Sequence, residues 1–367
     1  ILMVNLKNYR ILGVLLLALS LLIVPVYVNS VNAQQIVING AGASFPYPLI
    51  DTWRVEYQKV DPETSINYAS IGSGGGIKQF IEHTVDFGAT DAPLSASEFK
   101  EARTAVHIPE TIGSVVLAYN LPDINTPINL TGPVIADMFL GKIKKWNDPR
   151  IQELNPAVTL PDENVITVHR SDGSGTTFVF TDYLSKISTE WNSTIGAGKS
   201  VPWPSGLGAP GNEGVSASIQ GTPYTIGYIE LAYALTTEMD YAAIQNKEGN
   251  YILPSVNSTM AAVEAASLSL PAGNESWSNV SITNAPGANS YPIASFSYLL
   301  LYEDLSANPK INEQKAKAIV DFVQWAITEG QQFAEPLGYV PLPQGVVNLN
   351  EQTLRSLTFN GNPILTN

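Results

Sequence analysis

Hydroxyl side chains, an arginine and an aspartate gather in three glycine-rich runs of this chain. They are GAGASFPYP (40 to 48), SIGSGGG (70 to 76) and HRSDGSGTTF (169 to 178). Each follows a short apolar run that reads as a strand and precedes a helical pattern. The first four N–H groups of a helix have no partner inside it, and the helix dipole places partial positive charge there. Small residues that expose those donors suit an oxyanion.

Within the third run, Arg170 directly precedes Ser171-Asp172-Gly173-Ser174-Gly175-Thr176. A guanidinium presents a rigid fork of donors to two oxygens of a tetrahedral anion. Ser174, Thr176 and the N–H groups of Gly175 and Thr176 would donate beside it, with Asp172 holding Arg170 in place. The plainer reading is a glycine-rich turn carrying a surface Arg–Asp pair. Ser44 and Ser73 stand just ahead of helices, where serine commonly serves as an N-cap. Gly42 and Gly74 to Gly76 resist so plain a reading, because glycine at a helix start sacrifices stability unless something approaches the backbone.

Asp91 differs from all of these. An ionised carboxylate only accepts hydrogen bonds, so it repels an anion unless that anion brings a proton to donate. Phosphate near neutral pH carries one or two protons and sulfate none, so Asp91 would act as a filter for phosphate. A turn-forming aspartate before Ala92-Pro93 is the other reading.

Composition sets the frame. The chain has 367 residues, enough for two domains or one large α/β unit. Lys+Arg 19 against Asp+Glu 33 gives a net charge of -14, which disfavours nucleic acid or an anionic membrane face as partner. Cys 0 removes disulfides, thiolate catalysis and cysteine-bound metal. His83, His107 and His169 are scattered and form no metal motif; His83 and His107 read as surface or boundary residues. No nucleophile elbow or Walker A sequence is present. The six tryptophans show no regular spacing and read as core.

Lys7 and Arg10 precede an uncharged apolar stretch from Ile11 to Val28, followed by Val31-Asn32-Ala33. This reads as an export signal cut after Ala33, or as an uncleaved membrane anchor. Either places the remainder outside the cytoplasm. Asn-x-Ser/Thr sequons begin at Asn129, Asn192, Asn257, Asn274 and Asn279, three of them in a polar stretch that reads as exposed.

The elements that must position the site follow from periodicity. Ile36–Asn39, Ile66–Ile71, Asp86–Asp91, Val115–Asn120, Ile166–Arg170, Ile226–Ile229 and Phe296–Leu301 read as strands. Helices are marked by Leu49, Trp53 and Tyr57, by Ile77, Phe80 and Ile81, by Phe180, Leu184 and Ile187, and by Ile319, Phe322, Val323 and Ala326. Ser95 and Glu98 form a capping-box pattern. The alternation predicts an α/β fold with largely parallel sheets.

The motifs GAGASFP, IGSGGG, TVDFGATDAPLS, GKIKKWND, RSDGSGTTFVFT and WPSGLGAPGNEG leading into IGYIE, in this order, make the chain closely resemble the phosphate-binding proteins of the phosphate-specific ABC transporter. The resemblance runs from about Asn39 to the C-terminal region. It implies a two-lobe periplasmic-binding-protein fold of type II with the ligand cleft between the lobes. The expected division is residues 1–33 as signal peptide or anchor, 34–110 and 290–367 as lobe 1, and 111–289 as lobe 2. It further implies phosphate ligands at Ser44, the Phe45 N–H, Ser73, Asp91, Arg170, Ser174, Gly175 and Thr176, with Asp172 supporting Arg170. The expected protein is a monomer, not an enzyme, without metal or cofactor. It would deliver inorganic phosphate to membrane permease subunits with a cytoplasmic ATPase. The absent anchoring cysteine, the long export segment and the sequons from 257 to 281 depart from the family pattern. A secreted phosphatase and a surface sensor or adhesion protein are the rival classes.

Overall fold

Three parallel strands begin the described chain, with β1 (Ile36–Gly42) between β2 (Thr64–Ser70) and β3 (Phe87–Thr90). The computed structural model describes residues 35–266 and 269–365. The expected signal or anchor over 1–33, including Ile11–Val28, lies outside them. The helix Tyr47–Val60 leads from β1 to β2, burying Leu49, Ile50, Trp53 and Tyr57 at helical spacing, with Pro46 as N-cap and Pro48 in the first turn. A second helix, Ser73–Ile81, buries Ile77 and Phe80 on its way to β3. The Ser95–Glu98 capping box opens a third helix, Ala96–Ala102.

Then β4 (Ala105–Tyr119) runs for fifteen residues, every one buried. After a short β5 (Asn129–Leu130) come β6 (Ile166–Arg170), β7 (Leu207–Ala209), β8 (Thr225–Glu230) and β9 (Asp240–Tyr241). A small side sheet joins β5 to β10 (Ala243–Gln245) and β11 (Tyr251–Ile252). Finally β12 (Ala294–Tyr302) returns to the main sheet, whose order is β2-β1-β3-β12-β4-β8-β6-β7, with β9 also on β4.

The main sheet is mixed rather than largely parallel. β6 is parallel to β7 and β8, but β12 is antiparallel to β3 and β4, and β4 is antiparallel to β8 and β9. Alternation of apolar residues identifies a strand and carries nothing about its direction, so the antiparallel strands were not separable from the rest. β4 exchanges partners along its length: Ala105–Ser114 pairs with β12, and Val115–Tyr119 with β8.

Only the second part of β4 had been expected as strand. His107, Pro109 and Glu110 interrupt the apolar run of the first part. Proline cannot donate to a ladder and sits in sheets mostly at edges or bulges. Here it stands beside a bulge: Thr111 opposes Ser297, Pro109 opposes Tyr298, and Glu110 between them has no opposite residue. His107 was expected at the surface or its boundary and is fully buried instead, because the strand begins earlier than its pattern suggested. Its Nε2 accepts the Leu94 N–H at 3.1 Å, and burial pushes the ring down to about 4, so it stays neutral.

Trp53, Trp146, Trp191 and Trp277 are fully buried and Trp325 nearly so, as read for core residues, whereas Trp203 is only half-buried at the core's edge. The sequon asparagines Asn257, Asn274 and Asn279 are exposed where the polar composition placed them, although Thr259 of the first sequon is fully buried. Among the described residues, no helix is long and apolar enough to cross a membrane.

Candidate functional site

Neither Ser44 nor Ser73 caps its helix. The N-cap positions belong to Pro46 and Gly72, and the Ser44 and Ser73 side chains point elsewhere. Ser44 Oγ accepts two hydrogen bonds from Asn212, from its backbone N–H at 3.0 Å and its Nδ2 at 2.9 Å. Ser73 Oγ accepts from the N–H of Gly175 at 3.0 Å and of Asp91 at 3.3 Å. A hydroxyl has two acceptor lone pairs and one proton. With both lone pairs engaged, each serine retains only its proton, and so can act only as a donor. Both are at most 1% exposed.

The segment after β6 converges on the same place. Arg170 is 3% exposed; its Nε donates to Asp172 Oδ1 at 2.7 Å, its Nη2 to Asp172 Oδ2, and its Nη1 to Thr176 Oγ1 at 3.4 Å. Five guanidinium N–H donors less these three leaves two. Burial works to raise the Asp172 carboxyl, but the Arg170 fork and the Gly211 N–H outweigh it and hold it below the ordinary carboxylate range. The two hydrogen bonds hold the Arg170 guanidinium against Asp172. Thr176 Oγ1 accepts from Arg170 and from Asn212 Nδ2 at 3.1 Å, which again leaves a proton to donate. Ser174 does cap its helix, Gly175–Ile187, through an acceptor bond from the Thr177 N–H at 3.0 Å. The N-cap role read for Ser44 and Ser73 thus belongs to Ser174, and it still leaves the Ser174 proton.

Phe45 is fully buried, and its carbonyl accepts from Tyr339. Among the described residues, neither the Phe45 N–H nor the Thr176 N–H has an acceptor. Asn212 was not singled out from the sequence. It lies fully buried in the first turn of the helix Gly211–Gly221, bridges Ser44 and Thr176, and accepts the Glu230 N–H on its Oδ1 at 3.0 Å. Its signal was the Gly-Ala-Pro-Gly run before it, a fourth small-residue turn opening a helix.

Against these donors stands one acceptor. Asp91 is 1% exposed and follows β3; its Oδ1 accepts from Ser297 Oγ at 3.0 Å. Burial pushes its carboxyl up to about 7, while Ser297, Arg170 and Thr176 pull the other way. Its Oδ2 faces Gly175, where an added Cβ would come within 2.5 Å of both that oxygen and Ser73 Oγ. Only glycine fits there. The loops are equally close at Gly72, which has φ +81 and whose Cβ would meet Asp172 Oδ2 at 2.2 Å, and at Gly74, whose N–H donates to the Gly173 carbonyl at 2.8 Å.

All eight expected ligand residues and Asp172 therefore meet in one buried place. What they can do is hold a tetrahedral oxyanion with hydroxyl, amide and guanidinium donors while accepting one proton from it.

The PBP superfamily domain matches residues 29–329. A phosphate-binding protein PstS from Pasteurella multocida is 46% identical over 324 residues, covering 87% of this chain and 90% of that one. The chain belongs to the PBP superfamily and, within it, to the PstS phosphate-binding proteins. A PstS of the same name from Methanocaldococcus jannaschii is 41% identical over 337 residues, covering 88% of this chain and 86% of that one. The fold is also that of a high affinity periplasmic phosphate-binding protein, PfluDING, solved with phosphate. It has a TM-score of 0.68 at 17% identity over 89% of this chain and 100% of that one. An ABC-type phosphate transport receptor from Vibrio cholerae has a TM-score of 0.52 at 16% identity, over 83% and 100%.

Proposed function

We propose that this chain captures inorganic phosphate outside the cytoplasm and delivers it to an ABC-type importer, its partners being the membrane permease subunits and their cytoplasmic ATPase. The observation that carries the reading is the forced polarity of the cradle. Ser44, Ser73 and Thr176 have their acceptor capacity filled by protein N–H groups, so they can only donate, and Asp91 alone accepts. An anion with one proton matches that set; sulfate would leave Asp91 facing an oxygen.

The assigned contacts are the hydroxyls of Ser44, Ser73, Ser174 and Thr176, the N–H groups of Phe45 and Thr176, the Arg170 guanidinium, and Asp91, while the Gly175 N–H, read from the sequence as a ligand, donates to Ser73 Oγ and fixes that hydroxyl's direction. Each role is non-covalent, which fits a binding protein rather than a phosphatase. The PstS relatives are phosphate-binding proteins by name. The protein acts as a monomer.

The two lobes are residues 34–110 with 290–367, and 111–289. Support comes from β4, which changes partners between Ser114 and Val115, and from its ladder with β12, which starts at Ala294. The contacts Ser73–Gly175, Gly74–Gly173, Ser44–Asn212 and Lys199–Glu98 all cross this division. Hinge closure then completes the site.

Equilibrium dialysis with radiolabelled phosphate tests the reading. The expected result is one saturable phosphate per chain; absence of saturable binding contradicts it. Gly72→Ala extends the test, since its Cβ meets Asp172 and Gly173 only when the lobes meet. Phosphate affinity should fall about tenfold or more, or at least about 1.4 kcal/mol, and the thermal midpoint of the anion-free protein should fall too, because alanine at φ +81 is strained whether or not the lobes meet. Unchanged affinity would place the closed contact outside the binding cycle.

A further inference from the structure

Behind Asp91 sits a second buried carboxyl that the cradle does not use. Glu110 is 0% exposed, and it is the bulge residue of β4, left without an opposite residue where β12 passes from Ser297 to Tyr298. Bulges re-aim a side chain, and this one aims at the site. Ser297 Oγ lies 3.0 Å from Asp91 Oδ1 and 3.0 Å from Glu110 Oε1. Ser297 is itself fully buried, and among the described residues Glu110 Oε2 has no hydrogen-bond partner.

Those two distances fix a proton. The Ser297 hydroxyl carries one hydrogen and can donate to only one carboxylate. The other carboxyl makes a hydrogen bond only by bringing a proton of its own. Two ionised carboxylates sharing one serine, all three buried, would also repel each other at low effective dielectric. One proton therefore belongs to the Asp91–Ser297–Glu110 chain. It has two arrangements: on Glu110, with Ser297 donating to an ionised Asp91, or on Asp91, with Ser297 donating to an ionised Glu110.

We propose that Glu110 is a positioning residue that keeps this proton, so that Ser297 donates to Asp91 and Asp91 remains the ionised acceptor of the anion's O–H. The inference rests on the reading of the cradle as a phosphate site and adds a control on which protonation state it takes. Supporting it, burial pushes Glu110 up to about 8, with Ser297 lowering and Asp91 raising it further, against about 7 for Asp91. Among the described residues, the other titratable groups around the pair give Glu110 no cation. Tyr68 of β2 interacts with both carboxyls, while Tyr298 of β12, Glu230 at the end of β8, Tyr233, Tyr339 and Arg170 interact with Asp91. Arg170 is forked onto Asp172.

The consequence is an alkaline limit on binding. Between about pH 7, where Asp91 loses its own proton, and about pH 8, Glu110 is neutral and Asp91 accepts the anion's proton. Above that range Glu110 ionises, the serine proton is contested by two anions, and phosphate becomes a further negative charge in the same pocket. Phosphate affinity of the wild type should fall about tenfold per pH unit above that point.

Calorimetric phosphate titrations from about pH 6.5 to about pH 9.5 on wild type, Glu110→Gln and Ser297→Ala test this. Gln keeps the shape and the donor toward Ser297 but has no proton to lose. Its affinity should equal the wild type's near neutrality and remain flat where the wild type falls. Ser297→Ala breaks the link, and should bind more weakly near neutrality and lose the alkaline fall. Parallel pH profiles for wild type and Glu110→Gln would overturn the proposal, as would a large loss for Glu110→Gln near neutrality. Should Glu110→Gln not fold, a Ser297→Ala profile that keeps the wild-type alkaline fall overturns it as well. A wild type that does not bind phosphate sinks the functional reading and this with it, whereas binding with parallel profiles sinks this alone.

Discussion

Asp91→Asn is expected to abolish the preference for phosphate over sulfate. A buried acceptor that must be matched rejects the unmatched analogue by roughly 10⁴ to 10⁵, and Asp91 is the cradle's one acceptor. Asparagine replaces one of its oxygens with an N–H₂ donor, so sulfate then meets donors on every side. Competition titrations read the ratio directly; an unchanged ratio would remove Asp91 from the role of filter.

The same substitution has a second, independent signature in stability. An unfolded aspartate titrates near ~3.9, and burial pushes Asp91 up to about 7 in the folded chain. Between those values the folded state holds more protons than the unfolded, so stability of the anion-free protein falls as pH rises through this window. Asp91→Asn should lack that fall, and should melt above the wild type near pH ~8 but not near pH ~4. Phosphate should reverse the order by stabilising the wild type through mass action.

Arg170→Met should weaken phosphate binding by about 10² to 10⁴. Two guanidinium donors are free for the anion after Asp172 and Thr176 take theirs. Charge-assisted hydrogen bonds contribute about 1.5 to 3 kcal/mol each, so the pair contributes roughly 3 to 6 kcal/mol. Arg170→Lys should recover only part of this, because a point charge cannot fork onto Asp172 and the ligand together. Circular dichroism separates lost binding from lost fold. Arg170→Met binding within tenfold of wild type would mean that the guanidinium orients Asp172 and does not hold the anion.

Much of this site was legible because its chemistry is local. A glycine-rich loop between strand and helix exposes backbone donors wherever it occurs, so Ser44, Ser73 and Arg170 to Thr176 could be marked without knowing what they face. What the loops face is not local. Asn212 joins Ser44 to Thr176 across 168 and 36 residues of sequence, and nothing near position 212 names those partners. The same holds for Ser297, an ordinary serine inside an apolar strand, which touches Asp91 only because β12 lies beside β3.

The fold shows the same division. The helices at Tyr47–Val60 and Glu313–Ile327 follow apolar periodicity and were evident. Gly132–Phe139 and Gln344–Ser356 were not, the first being short and apolar on most faces, the second mostly polar with few buried residues. The start of β4 was hidden by His107, Pro109 and Glu110, residues that discourage a strand reading on local propensity. Tertiary packing overrides that propensity, and the bulge it leaves at Glu110 is where the fold departs from a regular ladder toward the site.

The central claim is that this cradle selects an anion by the proton it carries. Calorimetric titration of the wild type with phosphate, near neutral pH and in a large excess of sulfate, tests it most directly. The account predicts one tight site whose affinity is the same with and without sulfate. Displacement of phosphate by sulfate on equal terms would contradict it.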